Sequence, residues 1–259
     1  METQAVFPLR QIASRLSARF VRRAAGRAAG VAVIAVALMG ALPRPAAAQS
    51  GDRVPPGFFP IEPPLSLHLT WLECVREGDD GGSNVEPYVV IYIADLRGAT
   101  PRGQIVRTPV LRRMDRGERR DLVPPVRLWG FDVAAAPMPD QERVIFLVQM
   151  MEHDRRMHID TQVGRAGAYL DELLFRASMN GLPRNDIARL LSDEMYRRLR
   201  FDQIGRGDDC IGRPVDLILD PAWLDAARRG GSWSPELNHQ EGTVRGGPQY
   251  RTHFLLRRG

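Results

Sequence analysis

Short runs of alternating apolar and polar residues constrain the fold of this chain more than any other feature. Leu67, Leu69 and Trp71 alternate with polar residues, which is the period of a strand with one buried face. Further runs rich in β-branched, aromatic or apolar residues lie at 88–93, 106–111, 126–133, 144–151, 210–219 and 250–256. Gly, Pro, Asn and Asp separate these runs at short spacing. The pattern predicts a mainly β chain folded as an antiparallel β-sandwich.

A helical block interrupts the strand runs at about residues 160–206. Its first part places apolar residues on one helical face and ends at Asn180-Gly181, a helix stop signal. A second apolar face follows, with Asn185 or Asp186 as the N-cap. A short third helix is expected after Pro221. The sandwich is therefore predicted to carry a helical insertion.

The first 48 residues have the three parts of a secretory signal. Basic residues up to Arg27 precede an apolar stretch of 15 residues, Ala28–Leu42, which is shorter than the 20 or so that a membrane span needs. Small residues then offer a cleavage site after Ala48. The alternative is an uncleaved N-terminal anchor. Arg22-Arg23 also leaves the export route open between the general secretory and twin-arginine pathways.

The charge of the chain depends on this leader. The whole sequence has 36 basic and 31 acidic residues, a net charge of +5, and every basic residue is an arginine. Residues 1–48 hold seven of the arginines and one acid, so the remainder has a net charge of −1. A balanced mature chain in a periplasmic or secreted location gives no reason to expect a nucleic-acid partner.

The mature chain is predicted to contain one domain. Residues 49–64 form a linker, because five prolines there favour an extended chain over a packed element. Residues 65–259 form the single sandwich domain. Its two cysteines, Cys74 and Cys210, are an even pair in an oxidising compartment, where a disulfide is allowed; the alternative is two buried thiols that never meet.

Acidic residues are concentrated next to the ends of predicted strands. Asp80 and Glu86 belong to the first acidic segment. Glu152 and Asp154 end the predicted strand that starts at Val144, and Asp209 precedes the strand-like run at 210–219. Carboxylates that meet in space repel one another by about 1–4 kcal/mol per close pair, depending on the local dielectric. A hard cation removes that repulsion, and calcium accepts six to eight oxygen ligands in flexible geometry.

Three of these segments resemble the C-two domains, the calcium-dependent phospholipid-binding modules typified by protein kinase C. Ser83-Asn84-Val85-Glu86-Pro87-Tyr88-Val89 is similar to a Ser-Asp-Pro-Tyr-Val motif of that family, with Val85 as an extra residue. Glu152-His153-Asp154 is similar to its Asp-x-Asp strand end, and Asp209-Cys210-Ile211-Gly212 to its Asp-Phe-Ile-Gly step. The short matches are scattered over residues 65–258, and the helical block stands where the family has a short loop.

The resemblance implies a ligand set and a cysteine pairing. By position, the calcium ligands would be Asp80, Glu86, Glu152, Asp154 and Asp209. Cys74 would end the strand entering the first acidic loop and Cys210 would begin the strand leaving the third. These loops are neighbours in that family, so the resemblance also implies a Cys74–Cys210 disulfide.

Catalytic patterns are weak in this sequence. No His-Glu-x-x-His zinc motif, Gly-x-Ser-x-Gly elbow or phosphate-binding glycine loop is present. The leading expectation is an exported binding or interaction protein without catalysis, with calcium as its cofactor and an envelope protein or a lipid surface as its partner. The alternatives are a periplasmic metal-dependent hydrolase using His153, Asp154 and His158, and a purely structural envelope module.

Overall fold

The computed structural model describes residues 63–77, 86–129, 137–153, 158–201, 209–240 and 247–259. The strands within these residues are β1 (Leu65–Arg76), β2 (Pro87–Asp95), β3 (Arg102–Arg107), β4 (Arg119–Arg127), β5 (Val144–Glu152), β6 (Asp209–Asp216), β7 (Ser232–Trp233), β8 (Glu236–Gln240) and β9 (Gln249–Arg258). The helices are α1 (Ile159–Met179), α2 (Arg184–Phe201) and α3 (Pro221–Arg228). The predicted leader, and the predicted linker apart from its last two residues, lie outside the described residues.

The strands form two antiparallel sheets that share one core. The five-stranded sheet has the order β4-β1-β9-β7, with β8 also paired to β9, and the four-stranded sheet has the order β3-β2-β5-β6. One apolar cluster takes side chains from both, including Leu69 and Phe254 of the first sheet and Ile91 and Phe146 of the second. The prediction of a mainly β chain with two antiparallel sheets is confirmed, and the shared core is the arrangement of a β-sandwich.

A second apolar cluster covers the other face of the four-stranded sheet. Tyr88, Val90 and Tyr92 of β2 pack there against residues of α1 and α2 such as Leu170 and Leu191. Side chains alternate across a strand, so odd-numbered residues of β2 fill the sandwich core and even-numbered ones fill the helix-covered core. Both faces are buried, which explains why β2 and β5 are apolar runs rather than alternating ones.

Specific contacts dock the two helices on the sheet. The Tyr92 hydroxyl donates to Asp171 Oδ1 of α1 at 2.8 Å. Arg184, at the start of α2, donates from Nη2 to Asp216 Oδ1 at 2.9 Å and to the Val144 carbonyl at 3.2 Å. These contacts fix the helix pair against β2, β5 and the end of β6.

The helix boundaries follow the sequence signals. Asn180 is the C-cap of α1, and Gly181 adopts a φ of 66°, the left-handed conformation that glycine reaches without a steric penalty. Asp220 caps α3 by accepting a hydrogen bond from the Ala222 amide at 2.7 Å, and Pro221 occupies the first turn. α1 begins one residue before the helical block predicted at about 160–206, α2 lies within that block, and α3 begins at Pro221.

Two strand predictions differ in position from the structure. Of the predicted strand at 126–133, only Val126 and Arg127 belong to a described strand, β4, which begins earlier and contains Pro124 and Pro125, and residues 130–133 lie outside the described residues. β4 is an edge strand, where a missing backbone N–H removes no ladder bond. The run at 106–111 belongs to β3 only up to Arg107. Beyond Arg107 the regular ladder is replaced by two isolated hydrogen bonds, from the Thr108 and Leu111 amides to the carbonyls of Val89 and Pro87.

None of the described helices combines the length and the apolar character that crossing a bilayer requires.

We expect two glycines of α1 to respond oppositely to alanine. Gly167 faces β3, where a Cβ atom would lie 2.6 Å from Ile105 Cγ2, so Gly167→Ala should lower the melting temperature by overpacking. Gly164 is exposed, and a Cβ atom added there would have nothing within 4 Å. Gly164→Ala should therefore raise stability by up to about 1 kcal/mol, or roughly 2–4 °C. Equal shifts for the two variants would contradict the docking of α1 on β3.

Candidate functional site

The ends of three adjacent strands carry carboxylates to the same edge of the four-stranded sheet. Pro87 of β2 is paired with Glu152 of β5, and Glu152 is paired on its other side with Asp209 of β6. The His153 amide donates to the Glu86 carbonyl at 3.0 Å, which extends the row beyond Pro87. The backbones of Glu86, Glu152 and Asp209 therefore lie side by side along this edge, which we call the acidic end of the sandwich. Strand alternation puts the Glu86 side chain on the helix-covered face with Tyr88, and the Glu152 and Asp209 side chains on the opposite face.

The three carboxylates differ in their exposure to solvent. Glu86 is buried, with 4% of its surface exposed, whereas Glu152 is half-buried and Asp209 is exposed. Glu152 continues the face of Met150 and so points into the space between the sheets, and Asp209 is its direct cross-strand neighbour on that face. Exposure to solvent therefore increases along the acidic end, from buried Glu86 to exposed Asp209.

The other two predicted ligands, Asp80 and Asp154, lie outside the described residues. Among the residues that the structure does describe, no group of three or more His, Cys, Asp or Glu side chains is arranged to hold a metal ion. The structure puts three of the five predicted positions on adjacent strand ends, and the ligand set stays a prediction.

A row of polar side chains lies in the core beneath the acidic end. Cys74 of β1, Tyr250 of β9 and His239 of β8 occupy directly paired positions across three strands of the five-stranded sheet. All three are at most 1% exposed. Burial raises the pKa of Tyr250, and the negative charge of Glu152 raises it further.

His239 is held by one neighbour in the core. Its Nε2 lies 3.0 Å from Thr252 Oγ1, while Nδ1 is buried without a hydrogen-bond partner among the described residues. Burial lowers the pKa of His239 to about 4, because a charged imidazole would lose its hydration there. Sequence reasoning missed the interior row, since its members come from three distant strands and only the register places them together.

The predicted Cys74–Cys210 disulfide is wrong. Cys74 lies in the core between the two sheets, whereas Cys210 packs on the helix-covered side of the four-stranded sheet. The Cys210 thiol lies 3.6 Å from Met151 Sδ, and the structure joins neither cysteine to the other. Neighbouring strand ends were predicted to bring the cysteines together, but side-chain alternation puts the sheet between the two sulfur atoms.

The residues of the alternative hydrolase site are placed only in part. His153 follows β5 and makes an edge-on ring contact with Tyr88, with centroids 6.5 Å apart. His158 is the exposed residue before α1, and Asp154 lies outside the described residues. A zinc site built on these three residues stays a prediction.

Comparisons of the chain with models of protein families, with curated proteins and with solved structures found no match.

We expect both cysteines to be reduced in the purified protein. Thiol titration in denaturant without reductant should find two thiols per chain. Finding none would show that the two cysteines form a disulfide after all. In the native state Cys74 should not react, because burial raises its pKa to about 11 and leaves roughly one thiolate in a thousand molecules at pH 8.

We expect His239 to make the protein less stable in acid. Its folded pKa lies below the unfolded value of about 6.5, so the contribution of the neutral imidazole is complete above pH 6.5 and is lost as the pH falls toward 4. The loss should reach about 3 kcal/mol. In denaturant unfolding between pH 7 and 4, His239→Gln should flatten this dependence, and the exposed control His158→Gln should not. The same slope in all three proteins would show that His239 titrates normally.

Proposed function

We propose that the protein is an exported binding protein of the bacterial envelope whose acidic end binds a calcium ion. The observation that carries this proposal is the paired row of strand ends, which sets Glu152 directly opposite Asp209 beside Glu86. We propose further that the protein acts by binding rather than by catalysis.

The electrostatics of the Glu152–Asp209 pair support a cation. Directly opposed residues of an antiparallel pair have Cβ atoms about 4.5–5.5 Å apart, and like charges there destabilise the sheet. Glu152 is half-buried, so water screens its repulsion from Asp209 less than it would between two fully exposed carboxylates. A divalent cation shared by the two carboxylates would convert this repulsion into attraction.

The chemistry of the carboxylates favours calcium among divalent ions. Carboxylate oxygens are hard ligands, and calcium accepts six to eight of them in a flexible arrangement. Asp154 follows Glu152 by two residues and Asp80 precedes Glu86 by six, so both belong to segments that join the acidic end. The buried Cys74 thiol is a poor metal ligand, because burial raises its pKa to about 11 and keeps it protonated. This disfavours a metal that prefers thiolate ligands.

The wider proposal rests on the C-two resemblance. The three segments that carry it lie at the start of β2, the end of β5 and the start of β6, which are adjacent strands. We propose that the domain is a divergent C-two-like sandwich in which α1 and α2 are an insertion between β5 and β6. A signal peptide ending near Ala48 would export it, and an envelope partner would bind at the acidic end.

A thermal unfolding series of the purified protein tests the cation proposal. A ligand bound only by the native state at a hundred times its Kd stabilises by about 2.7 kcal/mol, which corresponds to a rise of roughly 5–10 °C for a domain of this size. Calcium should produce this rise and a chelator should abolish it. Glu152→Gln and Asp209→Asn should each reduce the calcium effect, because each removes a ligand.

The matched control is the double variant Glu172→Gln, Asp186→Asn, which neutralises an exposed carboxylate of α1 and a half-buried one of α2, both away from the acidic end. It should keep the full calcium response. Stability that is the same in calcium and in chelator would reject the cation and leave a structural envelope module. Stoichiometric zinc in the purified protein would instead support the hydrolase alternative.

A further inference from the structure

A cavity of about 770 Å³ opens beside the acidic end, on the side of β2 and of the segment that follows β3. Its described lining consists of Glu86, Val110, Arg112, Arg113 and His153. Sites for small molecules have volumes of about 300–1,000 Å³, so the cavity is large enough for a metabolite-sized ligand.

Among the described residues, the two arginines of the cavity resemble Arg116 in having no side-chain partner and differ in this from Arg119 and Arg120. Within the described residues, neither the Arg112 nor the Arg113 guanidinium makes a hydrogen bond or an ion pair. By contrast, Arg119 and Arg120, a few residues later, are paired with Asp121 and Glu118. Two adjacent cations at the cavity wall therefore keep their full capacity for hydrogen bonding.

The backbone turns both arginines toward one cavity. Successive side chains of an extended segment point to opposite sides, so adjacent residues do not ordinarily line the same wall. Arg113 has a φ of 56°, in the left-handed region, and it is the only non-glycine residue with a positive φ in the described chain. This conformation costs free energy for any residue with a Cβ atom, and such strain concentrates at binding sites.

We infer that this cavity binds a small oxyanion ligand, a molecule carrying a phosphate or carboxylate group held by Arg112 and Arg113. A guanidinium donates two parallel hydrogen bonds to such a group, and two exposed arginines line this cavity. Glu86 and His153 supply polar groups for the rest of the ligand, and Val110 supplies an apolar contact. Glu86 lines this cavity and is also a proposed calcium ligand, but the two arginines belong to the segment after β3, so anion binding through them does not require the cation.

Binding of inorganic phosphate and of citrate tests this inference. Calorimetric titrations of the full chain, freed of calcium on a chelating resin and held at constant ionic strength with sodium chloride, should show saturable binding of at least one of them. Arg112→Ala and Arg113→Ala should each weaken that binding at least tenfold. Arg116→Ala is the matched control, because Arg116 is an exposed arginine of the same segment outside the cavity lining, and it should bind as the unaltered protein does.

The variant Arg113→Gly separates binding from folding. Glycine adopts a positive φ without strain, so this variant should melt at a higher temperature while losing the anion. No saturable binding of either anion, or an equal loss in Arg116→Ala, would overturn the inference.

Vesicles distinguish the two sources of such a group. Co-sedimentation in chelator with vesicles containing phosphatidylglycerol, but not with pure phosphatidylcholine vesicles, and its loss in Arg112→Ala, would identify a lipid headgroup as the ligand. Binding of the free anions without co-sedimentation would identify a soluble one. Failure of this site leaves the calcium response of the acidic end unchanged, so the two proposals fail separately.

Discussion

The pairing of β2 with β5 is the interaction on which the rest of the structure depends. Nine consecutive residue pairs, from Pro87–Glu152 to Asp95–Val144, join the two strands. All nine residues of β2 and the first eight of β5 are buried. Because one face of this pair fills the sandwich core and the other fills the helix-covered core, loss of the pairing would uncover both clusters at once.

The register of this pairing also determines the candidate site. Glu152 points between the sheets only because Phe146, Val148 and Met150 do, and a slip of one residue would turn it toward the helices. The same ladder sets Glu152 against Asp209 on β6 and beside Glu86 before β2. Two apolar cores thus hold the strand ends in place, and the carboxylates occupy the ends of strands that cannot readily shift.

Much of the fold was predictable because its signals are local. The apolar runs of β2 and β5 and the stop at Asn180-Gly181 are each read from a few neighbouring residues. The position of β4 was not predictable, since its two prolines are compatible with a strand only at a sheet edge, and being at an edge is a tertiary property.

The candidate site was predictable only as a set of strand ends. The acids at Glu152 and Asp209 could be assigned to strand ends that meet. The face on which a side chain lies could not, and the disulfide prediction failed on this point, because Cys74 and Cys210 have the sheet between them. The interior row of Cys74, Tyr250 and His239 and the cavity beside Arg113 depend on long-range register and on one unusual φ, neither of which has a sequence signature.

The most direct test is a double-mutant cycle of Glu152→Gln and Asp209→Asn, measured as free energies of unfolding in denaturant with chelator and with calcium. In chelator, neutralising either carboxylate should stabilise the protein, and neutralising the second should add little. In calcium, each change should destabilise it, so the coupling energy changes sign, with a magnitude of about 0.5–3 kcal/mol for residues in contact. A coupling near zero in both conditions would contradict a shared cation at the paired strand ends.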